Sequence, residues 1–241
     1  YGLRTSVMKR FFLVISAVFT SVMALFAQEA GKEVKTGWTL SALPCLSYSS
    51  LKGVELGVFG DVYYFGDGSS YPEYHHDIGF ELSHFTEGRT LALVYYDSKH
   101  LIPNIRINAS VTYLLDPYYN FFGFNGAAQP YIPSRPEGPG YYGMNRDMLR
   151  IFTDFQGKIS PHLNWAAGLA FWDFKIGKQE HNSGNTLYQD YIAGGIIGEN
   201  EKTGGTRLEF KAGAVFDTRD REAAPNRGIW AELFLVGSPS I

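Results

Sequence analysis

The 241 residues include a single cysteine, Cys45, so no intrachain disulfide framework and no cysteine-based metal cluster can form. Its expected place is as a small residue packed in or near a sheet. Charge is scarce, at 19% of residues, and the formal net charge of −3 leaves no basic footprint for nucleic acid. Beyond Gly37 no apolar stretch is long enough to cross a bilayer as a helix, and no 3.6-residue period stands out. Nucleophile-elbow, zincin, Walker and dinucleotide fingerprints are all missing. His75 and His76, with Asp77 and His84 nearby, invite a metal reading. Adjacent strand residues point to opposite faces, however, so the two imidazoles do not converge on one ion. Gly66-Asp67-Gly68 and Gly204-Gly205 read as turn glycines rather than phosphate loops. No cofactor, no metal and no enzymatic activity are expected.

What the chain does have is bulk: 45% hydrophobic residues, 16 Tyr, 18 Phe and 27 Gly. That composition excludes a disordered tail and favours strands. Residues 1–27 stand apart. Met8-Lys9-Arg10 opens a basic segment, Phe11 to Phe26 is a short apolar run, and Ala24-Leu25-Phe26-Ala27 before Gln28 resembles a small-residue cleavage site. A cleaved signal peptide is expected there, with residues 1–7 upstream of the start at Met8. Without residues 1–27, 18 basic groups face 24 acidic ones. Residues 28–37 read as a short periplasmic segment, and 38–241 as the folded domain.

Within 38–241 the dominant period is two. From Asn104 to Tyr113 every odd position is apolar or aromatic and every even one polar or charged, which makes a strand with two contrasting faces. The same alternation recurs over 149–158, 163–171 and 207–216. Weaker versions run through 38–48, 54–65, 76–86, 89–97, 187–198 and 228–237. This gives about ten strands, most near the 9–11 residues that cross a bilayer at a tilt. The long Asp116–Asn145 connection, 176–186 and 218–226 are expected on one rim. Tight turns such as Ile159-Ser160-Pro161 are expected on the other, with 66–75 and Glu87-Gly88 breaking the rule.

The alternation fits two architectures. In a soluble sandwich the apolar face meets a second sheet; in a membrane barrel it meets lipid and the charges line a lumen. Export, strand length and aromatic residues near strand ends (Trp38, Tyr48, Tyr64, Tyr95-Tyr96, Tyr113, Tyr118-Tyr119, Tyr141-Tyr142, Trp172 and Tyr191) favour the membrane. The expected class is therefore all-β, a transmembrane antiparallel barrel in the outer membrane of a Gram-negative-type bacterium, with outer-membrane lipids as partners. Ile105, Ile107, Val111, Leu149, Ile151, Leu208, Phe210 and Phe216 would face lipid. Arg106, Arg150, Asp154, Lys158, Arg207, Glu209 and Lys211 would face the lumen. A passive, porin-like channel lined by these charges is the alternative function from the residues alone.

The most distinctive segment is Phe216-Asp217-Thr218-Arg219-Asp220-Arg221-Glu222-Ala223-Ala224-Pro225-Asn226-Arg227-Gly228, a charged loop between two strands. Asp217, Arg219 and Asp220 are expected to pair, and Pro225 and Gly228 to set the turn into the next strand. This segment resembles the strand-loop-strand of the BamA-type outer-membrane assembly barrels, the bacterial surface antigen family, with their D-x-R/T-D then P-x-x-G signature. Leu43-Pro44 with Tyr48 and Gly53 to Gly57 resemble that family's opening hairpin, and Asn120 to Gly126 resembles its aromatic-glycine loop. The resemblance covers roughly 38–238. It implies a non-enzymatic role in outer-membrane biogenesis or protein insertion, with unfolded outer-membrane proteins or assembly chaperones as partners. It also implies a sixteen-stranded barrel, of which about ten strands are expected here, in the subgroup without N-terminal periplasmic modules and truncated before the family's R-G-F/Y loop.

Overall fold

The computed structural model describes residues 34–126, 130–136, 138–179, 184–222 and 224–239. The expected signal peptide and most of the short segment after it lie outside the described residues. Nine strands make one sheet: β1 (Trp38–Ser49), β2 (Gly53–Tyr64), β3 (His76–Phe85), β4 (Thr90–Ile102), β5 (Ile105–Asn120), β6 (Gly143–Ser160), β7 (Leu163–Gly177), β8 (Gly204–Asp217) and β9 (Trp230–Gly237). They follow in chain order, each antiparallel to the next. The expected all-β antiparallel class is the one found. β5, β6 and β7 run to 16, 18 and 15 residues, about three times an ordinary soluble-sheet strand.

One expected strand is absent. The stretch 187–198 is not a strand, and the strands among the described residues number nine, against the expected about ten. Instead, a short helix α1 (Leu187–Ala193) stands in the β7–β8 connection, started by a capping box. The Thr186 hydroxyl accepts from the Gln189 N–H at 3.3 Å, and the Gln189 side chain accepts from the Thr186 N–H at 3.0 Å. With Leu187, Tyr188, Tyr191 and Ile192 at helical spacing, the local signal for helix outweighs the weak alternation. Removing one strand also moves the 218–226 loop. It belongs to the rim where β1 begins, with 65–75 and the tight turns after β4 and β6, and not to the far rim of the long 121–142 and 178–203 connections.

Register sorts the residues onto two faces. One cross-strand row reads Ala42, Gly60, Phe80, Val94, Val111, Ile151, Phe171 and Leu208, without a polar side chain. The row beside it on the same face reads Leu40, Val62, Ile78, Tyr96, Ala109, Thr153, Leu169 and Phe210. The opposite face holds Asp61, Asp77, Glu81, Asp97, Arg106, Arg150, Asp154, Arg207, Glu209 and Lys211. The polar face is the concave one: residues of β5, β6, β7, β9 and of the loops after β2 and β8 line a common cavity of about 690 Å³ against it. The chain's buried apolar clusters sit at the far rim, where α1 and the β5–β6 connection pack onto the concave side. Tyr141, Tyr142 and Leu187 form one, with Phe121, Phe122 and Tyr191 against it; Met144, Tyr188 and Ile197 form the other.

Candidate functional site

The apolar face is bare. Leu169 and Phe210 are each 47% exposed in mid-sheet, and Leu233 and Leu235 on β9 are 76% and 81% exposed. No described element covers them, although their number far exceeds the scattered apolar residues of an ordinary soluble surface. At the β1-start rim this face carries a row of ring contacts: Trp38 tilted on Tyr64 at 4.8 Å, Tyr64 stacked on His76 at 5.9 Å, and His76 stacked on Tyr96 at 6.0 Å. Tyr48, at the other end of β1, is 75% exposed. Of the other aromatics expected at strand ends, Tyr113 lies on this face, while Tyr95 and Trp172 stand on the polar one. Tyr141, Tyr142 and Tyr191 belong to the far-rim clusters. All eight residues expected to face lipid lie on the apolar side by register. Ile107 differs in exposure: it is 7% exposed, beside Phe155 and the β4 irregularity that begins at Ser98. Ile105, at the start of β5, also borders the polar cavity.

The seven residues expected in a lumen lie on the concave face, most of them already engaged. Arg106 grips Asp97 with two nitrogens, at 2.7 and 2.9 Å. Lys211 reaches Asp154 at 2.5 Å although β7 lies between them. Its path crosses Gly168, where a Cβ would collide with the Asp154 carboxylate. The same device serves Tyr95, whose ring lies over Gly79 and whose hydroxyl donates to Asp61 on the strand beyond. Glycine at these positions removes the side chain that would hold the two partners apart. Arg207 pairs with Glu209 at 2.7 Å. Arg150 has its guanidinium between the Phe152 and Trp172 rings, 5.1 and 5.2 Å from their centroids. Lys158 borders the cavity near the β6–β7 turn.

The β8–β9 loop is tied internally by hydrogen bonds among its described residues. Asp217 accepts two bonds from the Arg219 guanidinium, at 3.0 and 2.8 Å, and Arg219 stands 5.4 Å over Trp230. Asp220 does not join that pair as expected. Its carboxylate accepts from the backbone N–H of Asn226 at 2.9 Å and of Arg227 at 3.2 Å, which pulls its pKa below the usual carboxylate range. Pro225 lies inside the segment so closed. Gly228 has φ of 104°, and a Cβ there would strike the Thr218 carbonyl. The residue that sequence spacing could not single out is Glu222. Its carboxylate leaves the loop to accept from Lys99 at 2.6 Å and from Arg106. Burial opposes the charge on Glu222, yet these two cations hold it below the ordinary glutamate range. In the neighbouring loop the Tyr74 hydroxyl donates to Asp97 at 2.5 Å, and burial followed by that bond raises its pKa. Among the described residues no group of three or more His, Cys, Asp or Glu side chains is placed to hold a metal ion.

No family model matches the chain, and no curated protein matches it by sequence. The likeness is in structure. BamA from Haemophilus ducreyi lacking POTRA domains 1–3 is similar over 85% of this chain, at 11% identity and a TM-score of 0.46. The match spans 34% of that chain, so the present sequence covers about a third of its length.

Proposed function

We propose that the nine strands are the wall of an outer-membrane β-barrel with the bare apolar face in lipid, and that the protein serves outer-membrane biogenesis without enzymatic chemistry. The observation that carries the membrane reading is the bare, largely apolar face. From Trp38 to Tyr48, at about 3.3 Å per residue and a tilt of about 40°, β1 spans roughly 25 Å between its aromatic ends. That is the height of the apolar band of an outer-membrane barrel, and antiparallel strands paired in chain order complete the pattern. The biogenesis role has narrower support, namely the likeness of the 216–228 loop and the opening hairpin to the BamA-type barrels. Unfolded outer-membrane proteins or assembly chaperones are the partners it implies.

A steadily open passive channel is the less supported reading. The concave face is crossed by ion pairs, capped by aromatic clusters at one rim and crossed by the 218–229 loop at the other. Reconstitution into phospholipid vesicles tests both levels. The chain is expected to insert as a heat-modifiable, protease-resistant species and to speed the folding of an unfolded eight-stranded outer-membrane protein added outside. Failure to insert overturns the membrane assignment. Insertion without acceleration keeps the barrel and removes the biogenesis role, and steady single-channel currents restore the channel.

A further inference from the structure

One arginine of the concave face has no counter-charge. A depression of about 220 Å³ crosses β6, β7 and β8 beside it, with the small residues Gly168 and Ala170 of the middle strand at its centre. Of the charged residues that border it, Lys211 is paired with Asp154 and Glu209 with Arg207. Arg150 makes no ion pair or hydrogen bond among the described residues, and its guanidinium is held only by the Phe152 and Trp172 rings. The depression therefore carries one unbalanced positive charge. The donors around Arg150 are unused as well. Register sets Thr112, Arg150, Trp172 and Arg207 side by side across β5 to β8. In three of them, Thr112 Oγ1, Arg150 Nε and Trp172 Nε1, a buried donor has no hydrogen-bond partner among the described residues, and Thr112 is only 8% exposed. Buried donors left unpaired cost free energy and are rare in folded proteins. Three in one cross-strand row, beside an uncompensated guanidinium, point to an acceptor that brings negative charge.

We propose that this depression is a binding site for a small organic carboxylate, with Arg150 as its anchor. A guanidinium is a planar fork that matches the two oxygens of a carboxylate, and the flanking rings hold that plane in place. Of the Arg150 nitrogens only Nε is buried without a partner, so the terminal two, which make no bond, keep the accessible edge. A monoanion suits the single free charge. A phosphate dianion would bring a second negative charge beside Asp154 and Glu209. Phe152, Ala170 and Trp172 offer apolar surface to the rest of the molecule, and a volume of about 220 Å³ limits it to a body of one ring or a short chain. The site lies wholly on β6, β7 and β8, and it stands whether the opposite face of the sheet meets lipid or protein.

Benzoate, its neutral isostere benzamide, and inorganic phosphate are the probes, each titrated onto the folded full chain. The readout is the isotope-labelled indole N–H resonance of Trp172, assigned by its loss in Trp172→Phe. Benzoate is expected to move that resonance saturably, and benzamide to leave it in place. Arg150→Gln is expected to weaken benzoate about tenfold or more. Ala170→Leu fills the centre of the depression without touching a charge and is expected to weaken benzoate as well, with the unheated gel mobility of both variants unchanged. No saturable shift in a chain that keeps its folded mobility overturns the site. An equal response to benzamide, or a tighter one to phosphate, overturns the choice of a carboxylate. Undiminished benzoate affinity after Arg150→Gln overturns Arg150 as the anchor.

Discussion

Phe210 is where the membrane reading is most exposed to test. It sits six residues after Gly204 and seven before Asp217 on β8, 47% exposed on the apolar face. At about 3.3 Å per residue and a tilt of about 40°, that places it roughly 15 Å from either end of the crossing, close to a bilayer midplane. Phe216 shares the face and is 43% exposed, but lies one residue from the strand end. An arginine on lipid costs about 2–4 kcal/mol at the midplane and about 0–1 near the interface. Phe210→Arg is therefore expected to lower the folded-to-unfolded ratio by about 30-fold to several hundred-fold, at roughly 1.4 kcal/mol per factor of ten. Phe216→Arg is expected to change it less than about fivefold on the same scale. Urea titration of vesicle-inserted protein, followed by tryptophan fluorescence and by mobility of unheated samples, measures both. Equal costs at the two positions, or none at Phe210, would refute the reasoning, because a protein partner or a second sheet covering this face carries no depth gradient.

Three other perturbations have defined outcomes. Gly79→Ala puts a methyl into the Tyr95 ring and is expected to cost about 1–3 kcal/mol by overpacking, with Tyr95→Ala on the same chain recovering part of it; an unchanged urea midpoint for the single variant counts against the ring-over-glycine packing. Thr186→Ala removes the buried cap of α1 and is expected to cost about 1 kcal/mol locally. Hydrogen exchange over 187–193 checks it, at roughly fivefold faster opening if the cap matters and no change if it does not. The third is pH. Glu222 is faced by Lys99 and Arg106 on β4–β5, by Arg219 on its own loop and by Glu73 across the cavities, and its folded value lies below the unfolded one. Its contribution is thus full above the ordinary glutamate value of about 4.3 and is lost as pH falls through the depressed folded value. Pepsin cleavage of the β8–β9 loop should rise at the acid end of that window, and a loop that stays protected throughout it would separate the loop's position from this carboxylate.

Period-two alternation needs only near neighbours to be read, and it was enough to locate all nine strands, β1, β2, β3, β8 and β9 to within a few residues, while β4, β5, β6 and β7 extend five to seven residues beyond the expected segments. Facing follows from it, because register preserves parity across every antiparallel pair: Ile151 beside Val111 and Lys211 on the side of Asp154 are consequences of alternation plus pairing. The misread stretch, 187–198, carried its own correction in Thr186-Leu187-Tyr188-Gln189, a capping box whose spacing is visible in the chain. The Asp217–Arg219 pair was legible for the same reason, with one residue between the partners.

What separation along the chain conceals is decided in three dimensions. Glu222 lies 116 residues from Arg106 and 123 from Lys99, and nothing in the spacing of any of them marks the contact. It exists because nine strands curl about their polar face and bring the β8–β9 loop back over β4–β5. The reach of Lys211 to Asp154, and of Tyr95 to Asp61, likewise depends on which residue of the intervening strand is a glycine, a fact of register rather than of local pattern. The sequence alone thus determined the two-faced strand and the chemistry of each face, since side-chain direction alternates with the backbone. Which charges meet across the concave face belonged to the tertiary structure, since that depends on curvature and on contacts between segments far apart in the chain.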